Sequence, residues 1–299
     1  MHNVHQNGTM TLQRSRALEF AKLAKPELTM LSVMTAVGGA FLASTDGLPV
    51  TALMHTLVGT AMAGGAAGTL NQLFEREHDA QMKRTENRPL PAGRVQPHSA
   101  LIFGLLLAAG AIVYLWLTAN ATAALLALIT IVSYLFIYTP LKRRTPFATV
   151  VGGIPGALPP LIGWAVVRNG VSLDAWSLFF ILFFWQMPHF LALGWLYRKD
   201  YARAGYRLLT VLDLSGEVTC RQILIYAAAL VPASLMPTLV GLSGYLYFVA
   251  AFILSAVFLR SAVHLWYTRT NAQARKLFLA SLVYLPALFG VMMVDRLLR

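Results

Sequence analysis

The sequence predicts an all-α, polytopic membrane protein of about nine transmembrane helices in one bundle, on three observations. Of 299 residues, 57% are hydrophobic and only 12% charged, and the mean hydropathy is +0.62, too apolar for a chain whose surface faces water. The apolar residues come in long runs, each near the roughly 20 residues that cross a bilayer as a helix. The basic residues fall in alternate connections.

The runs end in charge, Pro or Gly and place the spans at 28–45, 52–73, 99–118, 121–140, 147–167, 176–197, 223–240, 244–267 and 276–294. Residues 1–27 are polar, carry Arg14, Arg16, Lys22 and Lys25, and show no apolar run leading to a small-residue cleavage site. They are expected to form an uncleaved tail before a transmembrane domain at 28–299. Connection 119–120 is nearly absent, so the third and fourth spans form an antiparallel hairpin, as do 223–240 and 244–267.

With nine spans, 21 of the 24 Lys and Arg residues lie on one side, in the tail and in 74–98, 141–146, 198–222 and 260–276; Arg168, Arg296 and Arg299 lie opposite. The positive-inside rule makes the rich side cytoplasmic, with the N-terminus in and the C-terminus out. The net charge of +12 therefore reads as membrane orientation and not as a nucleic-acid partner. A bacterial cytoplasmic (inner) membrane fits this bias, and so does an organellar inner membrane. The single Cys220 excludes an intrachain disulfide and gives no metal-site spacing, which leaves it a packing role.

The two longest connections, 74–98 and 198–222, share the cytoplasmic side. The first opens with Asn71-Gln-Leu-Phe-Glu75-Arg-Glu-His-Asp79. A spacing of four stacks Asn71, Glu75 and Asp79 on one helical face, where three oxygen donors suit a hard cation such as Mg²⁺ that also bridges phosphates. Gly64, Gly65 and Gly68 just upstream allow close helix approach. The bland alternative is a solvated helix end with Glu75 and Asp79 paired to Arg76, Lys83 and Arg84. Against it, carboxylates at the mouth of an apolar bundle are costly and usually functional. Lys83, Arg84, Arg88 and Arg94, then Lys142, Arg143 and Arg144, converge on the same face. Carboxylates that hold a metal beside bases that hold phosphate oxygens suit a diphosphate leaving group, although the positive-inside bias alone accounts for many bases.

A second constellation reads Trp185-Gln186-Met-Pro188-His189-Phe190, then Tyr197-Arg198-Lys199-Asp200-Tyr201. His189 falls inside a span, where it is either hydrogen-bonded in the bundle or serves as a ligand or proton-transfer group. His55 and His264 read as packing or interfacial residues, and His78 as a surface one.

The stretch Asn71 to Leu90 resembles the UbiA superfamily of intramembrane prenyltransferases, whose first motif is NxxxDxxxD, and is most similar to its haem-directed branch. Met82-Lys-Arg84-Thr85-Glu-Asn-Arg88-Pro89-Leu90, Tyr138-Thr139-Pro-Leu-Lys142-Arg143, Gly152-Gly153 through Gly163-Trp164, the Trp185 to Phe190 stretch and Asp200-Tyr201-Ala-Arg-Ala-Gly205 carry the resemblance, from Lys25-Pro26 to about residue 210. It implies a nine-helix bundle around a central cavity, and transfer of farnesyl from farnesyl diphosphate to a vinyl group of haem b, giving haem O and diphosphate. It also implies Asn71, Glu75 and Asp79 as ligands of Mg²⁺-diphosphate and Asp200 as a further acid. Arg84, Arg88, Lys142 and Arg143 would contact phosphate oxygens, with Lys83 and Lys199 beside them. His189, Trp185 and Gln186 would be the haem-side candidates, and haem A synthase or terminal-oxidase assembly proteins the partners that take the product.

Two departures stand out. Glu75 replaces the usual middle Asp of the first motif. Where superfamily members often carry DxxxD in the second, this chain has Tyr197 and Tyr201, leaving Asp200 as the acid. Two other readings stay open: a prenyltransferase acting on an aromatic quinone precursor, and a non-enzymatic transporter or haem-assembly protein. Transporters tend to place ionisable groups at mid-membrane in broken helices, whereas these acids sit at one face.

Overall fold

The structure is a computed structural model that describes residues 16–45 and 50–299. The first fifteen residues of the expected tail, Arg14 among them, lie outside the described residues. Among the described residues nine helices are long and apolar enough to cross a membrane: α1 (Pro26–Ala43), α2 (Val50–Asp79), α3 (Pro97–Thr118), α4 (Ala121–Leu141), α5 (Ala148–Arg168), α6 (Leu173–Leu196), α7 (Glu217–Leu239), α8 (Tyr245–Thr268) and α9 (Asn271–Leu297). The described residues contain no β-strand; the spans are helices, the form in which most backbone hydrogen bonds close within one segment, as a lipid solvent demands.

Spans in chain order pack as neighbours, and α9 returns against α1 and α6. Two apolar cores result. One, around Leu70, Leu115, Ala127 and Ile131, lies within α2 to α4. The larger, around Leu178, Ile223, Tyr247 and Leu285, fills the space between α5 and α9. The seam between the halves is α1 on α5, where glycine is obligatory: a Cβ on Gly163 would collide with the backbone carbonyl of Ala36, and one on Gly39 with that of Pro160. Gly163→Ala is therefore expected to destabilise by about 1–3 kcal/mol, as overpacked cores do. The fall should be visible as a lower Tm in detergent; an unchanged Tm would mean that the seam has room to spare.

Local chemistry sets the helix ends. Pro26 and Pro97 occupy first-turn positions, where a missing N–H costs nothing. The Asn120 side chain accepts from Ala123 N at 2.9 Å and donates to the Ala165 carbonyl at 2.7 Å, capping α4 and tying it to α5. At the end opposite the acidic motif, Arg168 and Arg296 donate to the carbonyls of Ala43 and Ser44 at 2.7 and 2.8 Å, satisfying the terminus of α1. Asp295 accepts from Gly244 N and Tyr247 N at the start of α8.

Three elements depart from the sequence-derived boundaries. Helix α2 continues to Asp79, six residues past the expected end at 73, because Glu75, Arg76 and Glu77 are good helix formers that hydropathy alone does not count. Helix α7 begins at Glu217 and α9 at Asn271, five or six residues early, for the same reason. Helix α4 widens to a π-helix over Ser133–Tyr138, where Pro140 cannot donate to the Phe136 carbonyl and the Thr139 hydroxyl donates instead to Tyr134 O at 2.9 Å.

Candidate active site

Because α2 stays helical through Asp79, Asn71, Glu75 and Asp79 form one column on its inner face, only 1%, 6% and 1% exposed. Three different segments each send a cation to this column. Lys25 Nζ donates to Asn71 Oδ1 at 2.6 Å, Lys142 Nζ pairs with Glu75 Oε1 at 2.5 Å, and Arg88 pairs with Asp79 Oδ2 at 2.7 Å. The Asn71 amide also donates to Thr139 Oγ1 at 3.0 Å, which fixes its oxygen toward Lys25. The Thr85 hydroxyl donates to the Asp79 carbonyl at 2.8 Å, closing the turn that brings Arg88 back.

Each cation is held in place by its own chemistry. Lys25 sits in the left-handed region at φ 48, ψ 64 immediately before Pro26; proline disfavours the right-handed alternative for its predecessor, and strain of this kind concentrates at functional sites. Burial and the repulsion of Arg88 pull its ammonium down to about 7 against the pull of Glu75 and Asp79. The Lys142 ammonium lies 4.7 Å from the Tyr138 ring centroid and 5.7 Å from that of Tyr206. Burial opposes its charge, but Glu75 and the surrounding tyrosines prevail and hold it well above the ordinary lysine value. The Tyr206 phenol is pushed upward by burial and by the Glu75 carboxylate, so it stays protonated.

Lys142 and Arg88 balance the two carboxylates and Lys25, held near 7, adds part of a further positive charge, an environment that favours a polyanion. Among the described residues no three or more His, Cys, Asp or Glu side chains assemble. Two carboxylates and an amide are hard oxygen donors on one face, a partial set that fits a divalent cation completed by phosphate oxygens and water.

Residues 32–285 match the UbiA prenyltransferase family. The chain belongs to that family. Within it the chain falls in the protohaem IX farnesyltransferase branch: it is 44% identical over 287 residues to the protoheme IX farnesyltransferase of Solibacter usitatus, spanning 93% of this chain and 98% of that one. It is 42% identical to the protein of the same name from Koribacter versatilis, spanning 93% of each. The fold is that of a digeranylgeranylglyceryl phosphate synthase in membranes, at TM-score 0.80, 15% identity and coverage of 95% of this chain and 100% of that one. It is also that of a UbiA homologue from Archaeoglobus fulgidus bound to GPP and Mg²⁺, at TM-score 0.63, 15% identity and coverage of 92% and 99%. This chain is a multi-pass membrane prenyltransferase, and the transporter reading falls away.

The remaining candidates of this UbiA-family chain divide by location. Arg84 reaches neither carboxylate; it donates to the Tyr201 hydroxyl at 3.2 Å and lies over the rings of Tyr197 and Tyr201 at 5.3 and 5.8 Å. The tyrosines at the altered second motif thus clasp the first loop. Asp200 pairs with Arg203 at 3.3 Å, so the structure ties it to its own short helix (Arg198–Arg203) and not to the acidic column. Lys83 and Lys199 are exposed. Arg143 turns away from Glu75 to His78 Nε2 at 2.7 Å. His78 itself is half-buried, with its ring 5.9 Å from that of Tyr206.

The inner candidates lie deep in α6. Trp185 Nε1 donates to Ser281 O at 2.9 Å and Gln186 to Gly153 O at 2.7 Å. His189 Nδ1 lies 2.7 Å from Ser281 Oγ, between the rings of Trp185 and Phe278 at 5.0 and 4.9 Å. Since the Ser281 hydroxyl proton is donated to Phe278 O, Ser281 accepts from His189 Nδ1–H and the Nε2 lone pair is left available.

Sequence reasoning missed Lys25, Thr139, Tyr138 and Tyr206 as members of the cluster. Their only sequence signals were Lys25-Pro26 at the start of a span and the Tyr138-Thr139-Pro140 stretch at the end of one.

Proposed function

We propose that the chain transfers the farnesyl group of farnesyl diphosphate to a vinyl group of haem b, yielding haem O and diphosphate. Two things support the acceptor: the name shared by relatives above 40% identity along nearly the whole chain, and the tyrosine pair that replaces the superfamily's second acidic motif. The observation that carries the donor end is the trio of cation pairs on Asn71, Glu75 and Asp79.

In this reading Asn71, Glu75 and Asp79 hold Mg²⁺ with the substrate diphosphate, as the cation found beside GPP in the Archaeoglobus fulgidus homologue suggests. The metal's contribution is to neutralise part of the diphosphate charge. Lys142, Arg88 and Lys25, released from the motif residues they now pair with, donate to the phosphate oxygens and stabilise the leaving group as the allylic C–O bond breaks. Arg84 holds the second loop over the site through Tyr197 and Tyr201. The haem vinyl carbon forms the new C–C bond, and water adds to the resulting cation and loses a proton. Residue His189, with Trp185 and Gln186 fixing α6 beside it, is the haem-side group, its Nε2 lone pair suited to iron or to that proton.

The face that carries the motif is placed in the cytoplasm and the C-terminus opposite, on the strength of the 21 basic residues on the motif side. The tail 1–27 precedes a catalytic domain at 28–299. Purified protein given farnesyl diphosphate, haem b and Mg²⁺ is expected to yield a hydroxyethylfarnesyl haem by mass spectrometry. Prenylation of an aromatic quinone precursor in place of haem would overturn the acceptor assignment and leave the donor site standing.

A further inference from the structure

A groove of about 410 Å³ opens on the outside of the bundle, between the last turns of α2 and the π-helical end of α4. Its walls include Leu73, Phe74 and Phe136. The two phenyl rings meet at 6.2 Å and are 44% and 64% exposed, facing the side from which lipid comes. Its rim carries Arg76, His78 and Arg143. None of these groups points to the acidic column, and the transfer reaction does not use them.

The rim is built for an anion. Because His78 Nε2 accepts from the Arg143 guanidinium, the ring proton sits on Nδ1, an atom buried without a partner. Arg76 is partly exposed and pairs only with the neighbouring Glu77 among the described residues, at 3.2 Å. Two guanidinium groups above exposed aromatic walls stand at the end of α2, on the base-rich side where the span leaves its apolar run. Basic pockets between spans at that level take anionic lipid headgroups. The nearby Glu77 carboxylate favours a singly charged phosphodiester over a multiply charged diphosphate, and the two arginines repel the cationic end of a zwitterionic lipid.

We propose that this groove is a docking site for an anionic phospholipid of the motif-side leaflet, its phosphate on Arg76 and Arg143 and an acyl chain along Phe74 and Phe136. The groove also reaches Thr139, which accepts from Asn71, so an occupied groove would brace the π-helical segment against the first motif.

Native mass spectrometry of the full-length protein titrated with phosphatidylglycerol and with phosphatidylcholine tests the site. The expected result is at least about tenfold tighter binding of phosphatidylglycerol, as charge-assisted contacts imply. Arg76→Gln, on an exposed position whose loss leaves the fold intact, should lower that preference severalfold without changing prenyl transfer in phosphatidylcholine. The double variant Arg76→Gln, Arg143→Gln should abolish it at an unchanged Tm. Equal binding of the two lipids, a preference that survives the double variant, or competitive displacement of phosphatidylglycerol by farnesyl diphosphate would each overturn the assignment.

Discussion

Asp79→Asn is expected to lower kcat/KM for prenyl transfer by about 10²–10³-fold, the scale on which removing a preorganised charge acts, while the protein still inserts and folds. Asp79 is 1% exposed and accepts from Arg88 at 2.7 Å, so the substitution keeps shape and removes only charge. Two losses coincide. The proposed metal-diphosphate site loses one of two carboxylates, and Arg88 loses its carboxylate partner. Arg88 is itself 24% exposed at its side chain and can take up water, so the stability cost stays small. Steady-state kinetics with farnesyl diphosphate and haem, beside a melting curve, separate the two effects; full turnover in this variant would remove Asp79 from the site.

Lys142→Met should lower stability as well as activity. Lys142 is the only cation whose ammonium bridges a carboxylate and two aromatic faces among the described residues. Its removal leaves Glu75 charged and buried, and breaking such a pair costs about 3–5 kcal/mol. Turnover should fall together with Tm. Adding Glu75→Gln to Lys142→Met removes the stranded charge and should restore most of the Tm, since replacing both partners is far cheaper than replacing one. Activity should not return, because on the proposed assignment a phosphate donor and a metal ligand are both gone. A double variant that recovered activity along with stability would mean that the pair serves only to hold the fold.

What the sequence made legible follows from what each signal measures. Hydropathy marks lipid-facing surface, so all nine spans were found; it does not mark the polar turns that extend a helix into water, so α2 was ended six residues short and the acidic column was assigned to a helix exit. Spacing within one segment was readable, which is why Asn71, Glu75 and Asp79 were grouped correctly on one face. Pairings between segments were not readable. Lys25 is 46 residues from Asn71, and Tyr206 meets Lys142 across more than sixty residues; the packing of α1 on α2 brings the first pair together, and the docking of Arg207 N on the Lys142 carbonyl brings the second. The same packing sorts like from like: Lys142 and Arg143 are adjacent in sequence, yet one turns inward to Glu75 and the other outward to His78. Periodicity cannot make that distinction at a helix end, where the π-helical turn of α4 resets the phase.

Asn71, Glu75 and Asp79, with Lys142, Arg88 and Lys25, are proposed to form one metal-dependent diphosphate site. Thermal unfolding with a non-hydrolysable farnesyl diphosphate analogue tests it most directly, because a ligand at 100 times its Kd stabilises the native state by about 2.7 kcal/mol. The account predicts a clear rise in Tm when the analogue and Mg²⁺ are present together, little rise when a chelator replaces Mg²⁺, and none in Asp79→Asn. An equal rise in the variant, or one indifferent to Mg²⁺, would contradict it.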